Sequence, residues 1–392
     1  MMARILGAAS ALALTLCAGT AMAANPIKIG QITSLTGTNA NAGKDMERGV
    51  ELALERINNG YAIPMEDGSS MKVGPGLLDG RMIKRIVEDT ESRPQSAMDA
   101  VRKLVNSDNV PIILGEFSSG ITLPTGQYTN KNQVIQFSVG ATSPKLRDIG
   151  PYFFDSIGTD VLAAEAIARM AAKDAPDART FTSITVNNPF GVGVEVNSCK
   201  FLKRDYDREC VTTVRYEREQ SDYRAQVNRM FSKNPDAALF TAYGTEARLI
   251  LRQAYQAGYR EQAKWYAPYI TMWTNEVEEL PQIADGIKGT QVGVAGDFYD
   301  NEYAKPYKDA YGEKPLTAYG AYGYDAMMMV ALAIEKAGTT DPGKLKDVMQ
   351  DVSTNYKGVT GSKDLDSDGM QKNEQYMYRI YKDGKLQDYS ID

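Results

Sequence analysis

The chain has 392 residues, 44 basic against 50 acidic side chains, a formal net charge of −6 and no histidine. That balance leaves no basic patch for nucleic acid, and past the N-terminus no apolar run is long enough for a membrane helix. The missing histidine removes the commonest general base near neutral pH, the serine–histidine and cysteine–histidine triads and the usual zinc sites, so neither a metal nor a cofactor is expected.

Residues 1–23 read as a signal for export. Arg4 supplies the positive start, Ile5 to Leu16 the apolar stretch, and Ala21-Met22-Ala23 the small-residue cleavage site. Cys17 follows Leu16, too large a neighbour for a lipid-anchor site. The remainder is long enough for two domains with their own cores.

Ile27 to Ile32 alternates like a strand, a small-residue loop follows to Gly43, and Lys44 to Asn58 has helical apolar spacing. Tyr61 to Gly80, rich in Gly, Pro and Ser, reads as a loop insertion. Strand 82–87, helix 95–106, strand 110–114, helix 121–131 and strand 134–137 complete a first alternating set. A second begins with helix 160–172 and continues through strands 181–186, 211–216, 237–240 and 264–267, with helices between them. A strand near 291–298 and helices near 303–311, 319–337 and 344–352 come next. At the end, Gln375–Tyr381 and Lys385–Tyr389 flank Asp383-Gly384, a hairpin signal. The fold class is α/β: two Rossmann-like lobes with parallel central sheets and a crevice between them.

Two strand-to-helix turns stand out. After the apolar run 110–114 come Ser118 and Ser119; after 134–137 come Gly140, Ala141, Thr142 and Ser143, then Pro144. Residues just past the carboxyl ends of parallel strands sit where ligands bind, and helix N-termini favour negative charge. Hydroxyl-bearing turns at such positions are either helix caps or a grip for a carboxylate. Two of them on adjacent strands favour the grip.

Other motifs mislead. Gly37 to Asp45 has five residues between its glycines and Asp45 where a nucleotide loop needs Ser or Thr. Asp364 to Gly369 resembles half a calcium loop, but the twelfth position falls on Gln375 and a strand follows; a polar turn fits better. Cys199 and Cys210 form either a disulfide closing a short loop or two buried thiols. Tyr319, Tyr322 and Tyr324, interleaved with Gly320 and Gly323, are either half-exposed packing or a close approach to something.

SLTG at 34–37, GEFSSG at 115–120, SVGATSP at 138–144, NNPFG at 187–191, RQAYQAG at 252–258 and GVTG at 358–361 together resemble the leucine/isoleucine/valine-binding proteins. These are periplasmic solute receptors of ABC importers with the type I periplasmic-binding fold. The resemblance implies a periplasmic, monomeric protein that closes like a flytrap on a small ligand and delivers it to permease subunits. It implies lobe one over 24–157 plus 296–360 and lobe two over 158–295 plus 361–392, with crossings near Ile157, Ala295 and Gly361. By position, Ser119, Gly140 and Thr142 match the carboxylate site, Phe190 and Tyr243 second-lobe aromatics, and Tyr319 a first-lobe aromatic. Where the family's amino-acid binders carry an acid for the ligand's ammonium, this chain has Tyr269. Either another acid serves, Glu116 being nearest in sequence, or the cargo is an aromatic or other organic acid without an ammonium. A solute-sensing receptor subunit and an exported enzyme with the same crevice are the alternatives.

Overall fold

The structure is a computed structural model, and it describes residues 25–277, 280–293, 302–315 and 317–391. The expected signal segment and the crossing near Ala295 lie outside the described residues. Two sheets dominate. The first runs Met370–Gln371, Phe153–Gly158, Ile135–Ser138, Ile112–Leu114, Ile27–Thr33, Ile83–Asp89, with every pairing parallel. The second runs Lys385–Asp388, Tyr376–Lys382, Lys288–Val292, Lys264–Ala267, Ala237–Thr241, Thr180–Val186, Glu209–Tyr216, antiparallel only at its hairpin end.

Parallel strands covered by helices on both faces must be apolar throughout, and Ile112–Leu114 and Ala237–Thr241 are buried at every residue. In each sheet the earliest strand lies inside the order: Ile27–Thr33 between Ile83–Asp89 and Ile112–Leu114, and Thr180–Val186 between Glu209–Tyr216 and Ala237–Thr241. The direction of winding reverses there, so the loops leaving those strand ends part and open a crevice.

Several expectations change. Residues 61–80 contain a hairpin, Tyr61–Pro64 with Ser70–Val73, turning over Asp67-Gly68. The strand Phe153–Gly158 was not anticipated, because Asp155 and Ser156 interrupt its apolar character although both are fully buried. The chain changes sheet after Gly158, close to Ile157, but the final change falls between Gln371 and Tyr376 rather than at Gly361, since Met370–Gln371 still pairs with the first sheet. Glu374 pins the two passages together: its carboxylate accepts from Gly158 N at 2.9 Å and from the Tyr322 hydroxyl at 2.8 Å.

The glycines near Tyr319 do mark a close approach. A Cβ on Gly49 would lie 1.8 Å from Gly320 O, so helices Ala40–Asn59 and Tyr319–Ala337 touch backbone to backbone. Asp45, the residue that spoils the nucleotide loop, is buried and accepts from Thr317 N (2.9 Å) and Thr317 Oγ1 (2.6 Å). It fixes the entry of the helix that begins with Tyr319. In the calcium look-alike, Arg147 bonds Asp366 and Asp368 at 2.7 Å each, filling with a guanidinium the place a cation would need.

Candidate functional site

The paired turns open side by side because Ile112–Leu114 and Ile135–Ser138 are hydrogen-bonded neighbours. Ser119 begins the helix Ser119–Lys131, and Ser118 is its cap residue without capping through its side chain. Ser119 Oγ accepts from the backbone N–H of Thr142 and of Ser143, each at 3.1 Å. Its lone pairs are thereby occupied and its own proton is free to be donated into the crevice. Gly140 has to be glycine: a Cβ would lie 2.9 Å from Phe117 Cδ2 and 3.2 Å from Tyr319 Cδ1. The Ala141 methyl turns instead into the apolar cluster with Leu146, Ile149 and Phe153.

The second lobe supplies the opposite wall. Phe190 follows Pro189 at the start of helix Pro189–Tyr206, and Tyr243 caps helix Gly244–Gln256. Tyr269 sits in the left-handed region at φ 52°, a conformation costing on the order of 1–2 kcal/mol for a side chain of this kind. Ring centroids of Phe190 lie 5.4 Å from Tyr243 and 5.8 Å from Tyr269; Phe117 lies 5.9 Å from Tyr243 and 4.7 Å from Tyr319. With Met272 these rings and Ser119, Gly140 and Thr142 surround one small space of about 10 Å³. Burial pushes the phenols of Tyr243, Tyr269 and Tyr319 upward, so they act there as neutral hydroxyls.

Glu116 does not serve the crevice. Its carboxylate accepts from Ser34 Oγ (2.6 Å), Thr90 Oγ1 (3.0 Å) and Ser118 N (2.6 Å), and it holds the first turn in shape. A buried acid stands behind the crevice wall, Asp160, in contact with Tyr269. Asp160 is fully buried, accepts from the Tyr269 hydroxyl at 3.4 Å on Oδ1 and donates from its backbone N to Thr142 O at 2.7 Å; its Oδ2 lies toward Gly193 and has no hydrogen-bond partner among the described residues. Desolvation raises its pKa well above the carboxylate range. Because Tyr269 turns its proton toward Asp160, it offers a lone pair to the crevice while Ser119 offers a proton. The site therefore has a donor pole and an acceptor pole.

Polar contacts cross from lobe to lobe. Ser118 Oγ lies 3.3 Å from Tyr243 Oη, and Ser143 Oγ donates to Pro189 O at 3.0 Å. Arg218 stands 4.5 Å from the Tyr243 ring, donates from Nε to Glu246 at 2.8 Å, and reaches with its other edge to Thr38 Oγ1 and to Asn39 Oδ1 at 3.2 Å.

Of the residues singled out from sequence, Ser119, Gly140, Thr142, Phe190, Tyr243, Tyr269 and Tyr319 meet around one space. Ser118 and Ala141 stand outside it. Phe117, Asp160, Met272 and Arg218 were missed. Phe117 lay within the GEFSSG stretch and carried a usable signal; Asp160 opens a helix directly after the unanticipated strand. Cys199 and Cys210 are bridged, tying helix Pro189–Tyr206 to strand Glu209–Tyr216 away from the crevice.

A family model described as periplasmic binding protein matches residues 26–385. Among curated proteins the chain is similar to Leu/Ile/Val-binding protein homolog 1 of Brucella suis, 26% identical over 363 residues and 90% of each chain. It is also similar to a leucine-, isoleucine-, valine-, threonine- and alanine-binding protein of Pseudomonas aeruginosa, 24% identical over 95% of each. A solved leucine-binding protein of Thermotoga maritima aligns with TM-score 0.79 and 24% identity over 93% of this chain and 98% of that one. An isoleucine-bound branched-chain amino acid binding protein of Streptococcus pneumoniae gives TM-score 0.77 and 22% identity over 93% and 98%.

Proposed function

The chain belongs to the periplasmic binding protein family, and on that premise we propose that it closes around a small carboxylate-bearing solute in the periplasm and hands it to the permease of an ABC importer. The observation that carries this reading is Ser119: its Oγ is saturated as an acceptor by two backbone N–H groups, so it meets the ligand as a donor beside a helix N-terminus. Closure removes water from the carboxylate and strengthens those bonds.

Asp160 favours an α-amino acid over a plain organic acid. The lone pair of Tyr269, backed by the Asp160 carboxyl behind it, suits an ammonium, the charge that Tyr269 alone leaves uncompensated. A plain aromatic acid is the second reading, favoured by the surrounding rings.

A thermal-shift panel of amino acids, aromatic acids and dicarboxylates tests the class: at 100 times its dissociation constant the true ligand adds roughly 2.7 kcal/mol of stability. Absence of any shift with every carboxylate sinks the reading. The pH dependence separates the two head groups. In the empty crevice desolvation keeps Asp160 protonated above the ordinary carboxylate pKa of about 3.9. An ammonium draws that proton off, so affinity for L-phenylalanine rises as pH climbs from about 4 through the raised pKa. Phenylacetate offers no cation, and its affinity falls over the same window as Asp160 ionises. Calorimetric titration at several pH values reads both slopes; a falling slope for L-phenylalanine excludes the amino-acid reading.

A further inference from the structure

The crevice does not end at its aromatic wall. Phe117, Tyr243, Met272 and Tyr319 also line a second, outer space of about 30 Å³. Its far side is polar, with Asn39, Thr271 and Glu276. Glu276 is half-buried, and among the described residues its carboxylate has no hydrogen-bond or ion-pair partner. The neighbouring cation does not serve it, because Arg218 is taken up by Glu246, Thr38 and Asn39. Asn39 is 4% exposed; its side-chain carbonyl accepts from Arg218, yet among the described residues its amide Nδ2 has no partner.

One compartment thus holds a carboxylate that lacks a donor and a buried amide that lacks an acceptor. Leaving the Asn39 amide unmatched is costly, while the half-buried Glu276 carboxylate stays open to water, and a ligand donor that replaces that water gains selectivity. Gly244 is part of the arrangement. A Cβ there would lie 2.9 Å from Glu276 Oε1 and 2.9 Å from its Cγ, so any larger residue would displace the carboxylate from the wall.

We infer that the ligand carries a second polar group at the end remote from its carboxylate, a hydrogen-bond donor such as an amine, guanidine or hydroxyl, and that Glu276 receives it. This rests on the reading of the inner compartment as a carboxylate site and adds a specificity rule to it. A ligand confined to the inner compartment leaves Glu276 and Asn39 facing trapped water. A ligand that parts the edge contact of Phe117 with Tyr243, now at 5.9 Å between centroids, and ends in a donor satisfies Glu276. Its body has to be flat or slender, because the shared walls are rings. The rival account is that Glu276 only neutralises the N-terminus of helix Gly244–Gln256.

The experiment titrates the full mature protein with matched pairs: L-phenylalanine against 4-amino-L-phenylalanine, and L-norleucine against L-lysine. The donor-bearing member of at least one pair binds about tenfold more tightly to the wild type, as expected for one hydrogen bond to a charged group. Glu276→Ala erases that preference by weakening the donor-bearing ligand about tenfold, while the plain member stays within about twofold. Glu276→Gln, isosteric and safe for folding, gives an intermediate preference. The inference is overturned if the pairs bind alike, if the preference survives both substitutions, or if both members weaken equally alongside a lower melting temperature, the mark of a purely structural role. If the wild type binds no carboxylate at all, the inner-site reading fails first and takes this one with it. If the plain members bind and only the preference is missing, the inner site stands and the outer assignment alone falls.

Discussion

The two walls of the crevice are built differently. On the first lobe, Ser119, Gly140 and Thr142 are short residues at the ends of buried strands, and what they present is set by backbone N–H groups and one another's hydroxyls. On the second lobe, Phe190, Tyr243 and Tyr269 are long side chains on helix starts and a left-handed turn, placed by ring packing. A wall hung on strand ends tolerates little change, because its geometry belongs to the sheet. A wall of rings can be altered one ring at a time. In the proposed function the first wall takes the ligand's head group, and the second takes its body and completes closure.

Ser119→Ala attacks the first wall and carries the largest expected effect. It removes the donor to the carboxylate and strips two buried N–H groups of their acceptor. Loss of one hydrogen bond to a charged group corresponds to about 1.5–3 kcal/mol, or roughly ten- to a hundredfold in affinity. The loss should be the same for every ligand that binds, which calorimetry on two unlike ligands can check. A variant that weakens one ligand and spares another would place the head-group site elsewhere.

Arg218 sharpens the contrast from the second lobe. Its pair with Glu246 lies within its own lobe, while its bonds to Thr38 and Asn39 exist only when the lobes are together. Arg218→Ala is expected to weaken binding about tenfold, mainly through faster dissociation, since closed-state contacts act on release. Thr38→Val should do part of the same, and the double variant should fall short of the sum, because the two residues share one contact. Stopped-flow rates for the four proteins decide it. Additive effects would mean that Arg218 acts only by supporting the Tyr243 ring.

How much of this could be read from the sequence follows the same division. The first wall was legible, because each turn directly follows a short apolar run and its residues act within a few positions of it. Tyr269 was legible as a departure from the acid expected there, but its consequence was not. Asp160 completes it from a helix start more than a hundred positions earlier, after a strand whose buried Asp155 and Ser156 hid it from a hydrophobicity reading. Arg218 meets Thr38 across a separation of 180 residues, and no local pattern encodes such a contact. The hairpin within residues 61–80 is a different kind of miss, since Asp67-Gly68 was a turn signal in plain view.

The disulfide gives the smallest effect on the ligand, and that is its use. Cys199 and Cys210 are 11 positions apart and join a helix to the edge strand of the second sheet, with Phe190 at the other end of that helix. Closing so short a loop restricts the unfolded chain by roughly 2–3 kcal/mol. The paired substitution Cys199→Ser with Cys210→Ser should therefore lower the melting temperature while leaving affinity unchanged, because the rings of the second wall are held by contacts at the crevice end of helix Pro189–Tyr206. Thermal melts with and without ligand test this. If the double variant binds more weakly at temperatures far below its melting point, the second wall depends on the whole helix being anchored, and the independence of its rings from the scaffold behind them is lost.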